Sequence, residues 1–321
     1  MKTYLGVDVG SVTTKLAMLD EENRLIGFDY LRTEGRPISA IQEGLRRIER
    51  QMPPGTETCG VATTGSARYL AGVVVGADLI KNEITSQAIA AMHYVPGVHT
   101  VIEIGGQDSK IIIIRDGVVV DFGMNTVCAA GTGSFLDHQA SRLNLNIEEF
   151  GEQALRSKTP VRIAGRCTVF AESDMIHKQQ MGHRTEDILY GLCQALVRNY
   201  LNNVALGKEI LPPVVFQGGV AFNEGIAKVF EEELTTEIII PPYHEVMGAI
   251  GAALLVHEEM DSASGETTFK GFGISGADFH TSSFICKACA NLCEISQISL
   301  NGKVLARWGG RCDIWETAPA T

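Results

Sequence analysis

The chain has 321 residues, of which 45% are hydrophobic and 20% are charged, a composition typical of a globular protein with a sizeable core. Its formal net charge of -11 disfavours nucleic acids and anionic membrane surfaces as partners. Residues 1–9 lack the apolar core of a signal peptide, and no apolar run has the length of a membrane span. We therefore expect a cytoplasmic protein whose eight cysteines serve metal or redox chemistry.

Two segments of the chain repeat one pattern. Residues 7–15 and residues 102–110 align acid with acid, glycine with glycine and lysine with lysine. In each, a β-branched run enters a polar turn that contains glycine, and a second apolar strand follows at residues 16–19 and 111–114. Glycine lets the backbone of such a turn approach an anion closely. The pattern predicts two hairpins, each with a candidate phosphate site in its turn.

Two such turns can clamp a polyphosphate from both sides. In this pattern the sequence resembles the superfamily of actin, heat-shock chaperones and sugar kinases, in which a duplicated domain closes on ATP. The alternative is a pair of unrelated polar hairpins. The resemblance implies a duplicated α/β fold of the actin/sugar-kinase, ribonuclease H-like class. We expect a first ATPase lobe over residues 1–95 and a second over residues 96–258, whose final helix can pack on the first.

Three further landmarks of the superfamily follow in chain order. Residues 130–133, Ala-Gly-Thr-Gly, open an amphipathic stretch at residues 135–145 that predicts a helix. An apolar strand at residues 214–216 leads into Gln-Gly-Gly-Val at residues 217–220, which is how this fold approaches adenosine. The small residues at 248–253 predict a helix packed closely beneath a hinge, or simply a buried helix.

Three separated segments make the resemblance more specific: residues 104–110, 125–137 and 166–173. Together they closely resemble the activators of 2-hydroxyacyl-CoA dehydratases and the ATPase subunits of benzoyl-CoA reductase, over residues 1–258. The resemblance implies a reductive activator that couples ATP hydrolysis to one-electron transfer into a partner iron–sulfur enzyme. That partner is a 2-hydroxyacyl-CoA dehydratase, a benzoyl-CoA-type reductase or a related reductase. A ferredoxin or flavodoxin donor and an anaerobic metabolism are also implied.

The same resemblance implies a homodimer in which one [4Fe–4S] cluster bridges two identical subunits. Each subunit of such a dimer gives two cysteines, and the matching positions here are Cys128 and Cys167. The alternative is that both are buried structural cysteines. Cys59 and Cys193 lie in ordinary contexts, and we interpret both as packing residues.

The resemblance also implies roles for individual residues. Asp8 is expected to hold Mg²⁺ through water, and Gln107 to orient the attacking water. Glu103 stands where the family commonly has Asp, and it is expected either to polarise that water or to bind the water of Mg²⁺. Asp8 and Glu103 are expected to face one Mg²⁺–triphosphate from opposite walls. The residues expected to bind ATP are Gly10, Ser11, Thr13, Thr14, Lys15, Gly105, Gly106, Asp108, Ser109, Lys110, Gly131, Thr132, Gly133, Gly218, Gly219 and Asn223.

A Cys-rich tail follows the part of the chain that carries the resemblance. Ser, Gly, Thr and Asp dominate residues 259–275, which predicts a linker before a module at residues 276–321. Asn301 and Gly302, between alternating apolar runs, predict a hairpin whose open end brings flanking cysteines beside a Cys-x-x-Cys pair. Four thiolates there suit zinc or a second iron–sulfur cluster, and their spacing does not choose between the two. The four are Cys286, Cys289, Cys293 and Cys312.

Two other functions compete with the activator. A small-molecule kinase of the same fold, for a sugar or an amino sugar, would need an acceptor pocket with a catalytic aspartate and would not use Cys128 and Cys167. A nucleotide-dependent assembly protein would bind ATP without any redox chemistry. The visible absorbance of an iron–sulfur chromophore in protein purified without oxygen favours the activator over both.

Overall fold

The structure of the protein is a computed structural model. It describes residues 1–125, 129–262, 265–312 and 314–315, so the predicted cluster ligand Cys128 lies outside the described residues. No helix within these ranges is both long enough and apolar enough to cross a bilayer.

The chain divides into two compact units. Unit 1 comprises residues 1–10, residues 14–81 and the chain from Ala252 onward, and unit 2 comprises Ser11–Thr13 and Asn82–Gly251. Each unit contains its own five-stranded sheet. The domain limits inferred from the sequence remain predictions beside this division.

The elements of unit 1 before its last helix are β1 (Lys2–Val9), β2 (Thr13–Asp20), β3 (Leu25–Arg32), α1 (Pro37–Gln51), β4 (Glu57–Thr64), α2 (Arg68–Val75) and β5 (Leu79–Ile80). The sheet order is β3-β2-β1-β4-β5. Helix α1 begins at a proline and buries Ile41, Leu45 and Ile48, which recur at helical spacing, in the same core cluster as residues of β1 and β2.

The strands of unit 2 are β6 (Thr100–Ile104), β7 (Ser109–Arg115), β8 (Val118–Asn125), β9 (Val214–Gln217) and β10 (Ile238–Ile239). Their order is β10-β9-β6-β7-β8. Strand β6 pairs antiparallel with β7 and parallel with β9, just as β1 pairs with β2 and β4. The two sheets therefore share one topology, and the predicted duplication and both predicted hairpins are confirmed.

The longer helices of unit 2 are α3 (Glu83–Tyr94), α4 (Gly133–Arg142), α5 (Ile147–Ala154), α6 (Thr168–Gln180), α7 (Thr185–Asn203) and α8 (Glu224–Leu234), and α9 (Met247–Ser262) continues into unit 1. Helix α4 confirms the helix predicted after the Ala-Gly-Thr-Gly motif, although it ends at Arg142. Helix α7 is buried along much of its length because it runs through the core of unit 2, where Tyr200 meets Phe230 edge to face.

The tail forms a three-stranded antiparallel sheet, β11 (Phe279–Ile285), β12 (Glu294–Leu300) and β13 (Lys303–Trp308). Asn301 and Gly302 both have positive φ, 51° and 79°, so the predicted Asn-Gly hairpin is confirmed. Strand β11 was not predicted, because its polar middle at residues 281–283 breaks the apolar alternation. Ile298 and Ala306 of this sheet join the core of unit 1.

The segment before the tail sheet is tied to unit 1. Helix α9 continues to Ser262, and the backbone N–H of Thr268 donates to the Asp78 carboxylate over 2.6 Å. The hydroxyl of Thr267 donates to the same carboxylate over 2.7 Å, and the amide of Lys270 donates to the carbonyl of Val75 over 3.0 Å. Residues 267–270 thus have fixed partners, although their composition is that of a linker.

Candidate functional site

The first repeat places an acid and a lysine opposite each other at the end of a hairpin. Asp8 and Lys15 are register partners on β1 and β2, and Lys15 Nζ lies 3.1 Å from Asp8 Oδ2. Asp8 Oδ1 is buried and has no hydrogen-bond partner among the described residues. Neither has the hydroxyl of Thr64, the register partner of Asp8 on β4. Buried polar atoms without partners are costly, so both suit a bound ligand.

A glycine that follows Thr64 makes room for Asp8. Gly65 has φ +89°, and a Cβ atom there would lie 2.5 Å from Asp8 Oδ1 and 2.6 Å from the carbonyl oxygen of Val9. Only glycine adopts this positive φ at low cost and also leaves the space that a Cβ atom would fill. The sequence analysis missed Thr64 and Gly65, although a polar, Gly-containing turn after the apolar strand β4 was the available signal.

The other predicted residues of the first turn differ in exposure. Ser11 is exposed, whereas Thr13 and Thr14 are buried. The Thr14 hydroxyl lies 3.0 Å from the hydroxyl of Thr33, which in turn donates to the carbonyl of Gly10 over 3.0 Å. Thr14 and Gly10 are therefore already engaged in bonds that shape the turn, while Ser11 is free to meet solvent or a ligand.

The second repeat gathers three carboxylates around one ammonium group. Glu103 and Lys110 are register partners on β6 and β7, as Asp8 and Lys15 are in the first repeat. Lys110 Nζ is fully buried and lies 2.9 Å from carboxylate oxygens of Glu103, Glu83 and Asp108. One oxygen from each acid lies within 4.8 Å of the others. Carboxylate oxygens so grouped suit Mg²⁺, but here the ammonium group takes the central position.

Glu83 was missed by the sequence analysis. It stands in the first turn of α3, and Asn82 caps that helix by accepting a hydrogen bond from the amide of Thr85 over 2.9 Å. The pair Asn-Glu at a helix start was a capping signal, but nothing local to it indicated a contact with Lys110. Only the fold brings α3 to β7.

The charges of this group do not balance. Burial raises the pKa of Glu103, the Lys110 ammonium lowers it, and the neighbouring Asp108 and Glu83 carboxylates raise it, with a net pKa of about 7. Burial lowers the pKa of the Lys110 amine, but the carboxylates around it, above all Glu103, raise that pKa by more. Because one ammonium serves three carboxylates, the group has a place for one more proton near neutral pH. Such a carboxyl is suited to exchanging a proton with water.

The glycine motifs of unit 2 meet the second turn. The amide of Gly133 donates to the carbonyl of Gly105 over 2.9 Å, and the amide of Ser134 donates to the carbonyl of Gly106 over 2.8 Å. Gly218 has φ +93°, and a Cβ atom there would lie 2.9 Å from Glu103 Oε1. The start of α4 and the end of β9 are thereby packed on the turn that holds Glu103.

The remaining predicted residues of unit 2 lie in the second turn, at the start of α4 and after β9. Gln107 is exposed at the tip of the second turn, where its amide can reach a ligand, and the Ser109 hydroxyl is buried without a described partner. Gly131 and Thr132 are buried at the start of α4, and Gly219 begins a short 3-10 helix. Asn223 caps α8 by accepting from the amide of Ile226 over 3.1 Å, while its own amide nitrogen has no described partner.

The cysteines that precede the tail lie in different environments. Cys167 is the N-terminal cap residue of α6 and is partly exposed, whereas Cys128 lies outside the described residues. Val169 and Phe170, just after Cys167, are exposed by 67% and 66%. Cys193 is fully buried and burial raises the pKa of its thiol, as it does for Cys59. Both environments agree with packing.

The tail sheet brings four cysteines to one end. Cys286, Cys289 and Cys293 lie in the loop from β11 to β12, and Cys312 follows β13. Hydrogen bonds from the amide of Ala288 and the indole of Trp315 hold the pKa of the Cys286 thiol below its usual value. Among the described residues, no three of these thiols lie within 4.8 Å of one another.

Residues 5–256 match the BadF/BadG/BcrA/BcrD ATPase family. The chain belongs to this family. The (R)-2-hydroxyglutaryl-CoA dehydratase activating ATPase of Acidaminococcus fermentans is 35% identical over 262 residues, which cover 79% of this chain and 97% of that protein. The solved activator of the 2-hydroxyisocaproyl-CoA dehydratase from Clostridium difficile, with bound ADPNP, is 30% identical with a TM-score of 0.73. That match covers 81% of this chain and 96% of the activator.

A more distant solved structure shares the fold alone. The ROK family glucokinase from Streptomyces griseus is 14% identical with a TM-score of 0.50, and the match covers 80% of this chain and 99% of the glucokinase. The actin/sugar-kinase fold and the resemblance to dehydratase activators, both predicted from the sequence, are confirmed. The kinase alternative is not favoured, because the relatives of higher identity are dehydratase activators.

Proposed function

We propose that the chain is an ATP-hydrolysing reductive activator that delivers low-potential electrons, one at a time, to a partner iron–sulfur enzyme. The relatives named as dehydratase activators support the activity, and the repeated acid–lysine pair is the observation that carries it. The acceptor is a 2-hydroxyacyl-CoA dehydratase, a benzoyl-CoA-type reductase or a related reductase. A ferredoxin or flavodoxin is the proposed donor.

The residues of the two turns divide the work of hydrolysis. Asp8 would hold Mg²⁺ through water, and its buried oxygen without a described partner fits that role. Glu103 and Gln107 polarise and orient the attacking water, and a Glu103 carboxyl with a pKa of about 7 can accept its proton near neutral pH. Lys15, Lys110, Ser109 and the glycine turns bind phosphate oxygens.

Electron delivery is assigned to the two family-matched cysteines. Cys128 and Cys167 would give two thiolates from each subunit of a homodimer, and a cubane cluster takes four. Cys167 fits because it is a thiol free of disulfides and partly exposed at the start of α6. The cluster supplies one-electron redox chemistry when bound. Binding and loss of the ATP γ-phosphate would be the switch that controls electron delivery by these residues.

The proposal is tested on protein purified without oxygen. We expect ATP hydrolysis together with the broad absorbance of an iron–sulfur chromophore at about 400 nm, and ATP-dependent oxidation of the reduced cluster by an acceptor enzyme. Cys167→Ser should lose electron delivery and keep ATP binding, whereas the control Cys59→Ser should keep both. Phosphorylation of a sugar or amino sugar would instead indicate a small-molecule kinase, and ATP binding without redox chemistry would indicate an assembly protein.

A further inference from the structure

The tail sheet presents four thiols that neither the family match nor the core of unit 1 accounts for. The match ends at residue 256, and all four tail cysteines are free of disulfides. The core of the sheet is filled by other residues, Ile295, Ile298 and Ala306. Cys289 and Cys312 are exposed, so packing does not explain them.

Backbone hydrogen bonds close the loop that carries three of the cysteines. The amide of Cys286 donates to the carbonyl of Cys293 over 2.8 Å, and the amide of Leu292 donates to the carbonyl of Cys289 over 3.3 Å. Leu292 has φ +44°, a left-handed conformation that leucine rarely adopts. The loop is therefore held in a tight shape in which its first and last cysteines are neighbours, at the cost of local strain.

The chain after β13 returns to this loop. Trp315 Nε1 donates to Cys286 Sγ over 3.1 Å, and the Trp315 ring packs edge-on against Phe284 at 4.9 Å between centroids. The Arg307 guanidinium lies 5.4 Å from the centroid of the same ring. Gly309, with φ +99°, passes so close to the carbonyl of Glu294 that a Cβ atom would lie 2.5 Å from its oxygen. These contacts bring the chain on both sides of Cys312 back to the loop that carries the other three cysteines.

Two N–H groups point at the sulfur of Cys286, from Trp315 and from the backbone of Ala288. N–H donors around a cysteine sulfur orient it and stabilise it as a metal-bound thiolate. We propose that this end of the tail sheet binds a metal centre of its own through Cys286, Cys289, Cys293 and Cys312, and that the centre is an iron–sulfur cluster. It is separate from the Cys128–Cys167 cluster and does not depend on the ATP site.

The function proposed for the chain favours a cluster over a single zinc ion, and on this point the inference rests on that function. Four thiolates can hold either centre. An iron–sulfur cluster carries single electrons, which is the chemistry that the proposed activator performs, whereas zinc has no redox chemistry.

The test measures iron, zinc and acid-labile sulfide per chain in the full-length protein, purified without oxygen. A Cys167→Ser background removes the proposed bridging cluster. In that background we expect iron and sulfide to remain in equal amounts. Adding Cys289→Ser or Cys312→Ser should remove most of that iron, whereas adding Cys59→Ser should leave it. Both tail cysteines are exposed, so the substitutions spare the core, and ATP binding reports whether the chain is folded.

Each outcome decides a different point. Zinc that is lost with the tail substitutions would overturn the cluster, and a metal content that no tail substitution changes would overturn the site. Iron content that Cys167→Ser leaves at the wild-type level would count against the bridging cluster alone, so the two assignments fail separately. In a chain that keeps its iron, Trp315→Phe should shift the reduction potential of the tail cluster, because it removes an N–H donor from a ligating sulfur.

Discussion

Glu103 shares one ammonium group with two other carboxylates, and this imbalance has consequences for stability. Its folded pKa of about 7 stands above its ordinary value of 4.5. Protonated Glu103 therefore makes its whole contribution to the free energy of unfolding below pH 4.5. This contribution is lost as the pH rises through about 7. The buried carboxyl that can exchange a proton with water therefore also makes the protein less stable in alkaline solution.

Glu103→Gln should remove this dependence on pH. Glutamine keeps the shape of the neutral carboxyl, so the variant should gain unfolding free energy relative to wild type as the pH rises from 4.5 to 8, on the order of 1 to 3 kcal/mol. Urea unfolding at several pH values measures the difference, with the exposed Glu49→Gln as control. A difference that stays flat over this range would show that the proton does not reside on Glu103.

Gly65 permits a second test at the scale of one residue. Gly65→Ala should lower the unfolding free energy by about 2 kcal/mol and impair ATP hydrolysis, because the new Cβ meets both left-handed strain and Asp8 Oδ1. Gly55→Ala is a matched control, since Gly55 has φ +77° and nothing within 4 Å of its Cβ position. Equal losses of stability and activity in both variants would mean that backbone strain alone is at work and that Asp8 is not crowded.

The residues of the site show what local sequence can reveal. Asp8, Glu103 and the two lysines were predictable because the repeat places them at matching positions of two hairpins. Glu83 was not predictable, because it approaches Lys110 through the packing of elements that are distant in sequence. A helix start carries no local signal for such a contact.

Among the elements, helix α7 carries in its first turn a carboxylate that binds a distant segment of the chain. Asp187, in its first turn, accepts hydrogen bonds from the hydroxyl and backbone amide of Thr159, from the amide of Lys158 and from the hydroxyl of Ser157 at 2.7 Å. These bonds, with the Ser157 hydroxyl first, lower the pKa of Asp187 to about 2. They attach the segment that follows α5 to the first turn of α7.

Asp187→Asn should lower the unfolding free energy at pH 7 by about 2 kcal/mol, because the amide satisfies fewer of these donors and carries no charge. The folded pKa is below its ordinary value of 3.8, so the contribution is present above that pH and is lost as the pH falls through about 2. Chemical unfolding between pH 2 and 7 measures it. Glu224→Gln, an exposed acid in the first turn of α8, controls for the helix dipole. A similar loss in that control would show that the bonds from residues 157–159 to Asp187 add nothing beyond the helix dipole.

The elements themselves were predicted unevenly, for physical reasons. The hairpin at Asn301–Gly302 was predictable because its turn needs two residues with positive φ, which Asn and Gly supply. Strand β11 was not, because its exposed Ser and Thr side chains give no period-two pattern. Residues 267–270 have the composition of a linker and yet bind the Asp78 carboxylate and the end of α2.

At the scale of the whole molecule, duplication is the organising feature. Two sheets with one topology each end their first hairpin in an acid–lysine pair, and the family match covers both. The tail sheet lies outside that match and adds four cysteines. The chain therefore combines an ATPase of a known family with a Cys-rich sheet that packs on the core of unit 1.

Hydrolysis of ATP at the repeated turns is tested most directly by the rate of phosphate release. Asp8→Asn should lower the rate of release by about 100-fold or more while leaving ATP affinity within a few-fold, because the carboxylate acts mainly on the transition state. Gln107→Ala should slow release with a similarly small effect on affinity, and the exposed Asp116→Asn should match wild type. Wild-type rates in Asp8→Asn and Gln107→Ala would contradict the placement of the phosphate site at the two repeated turns.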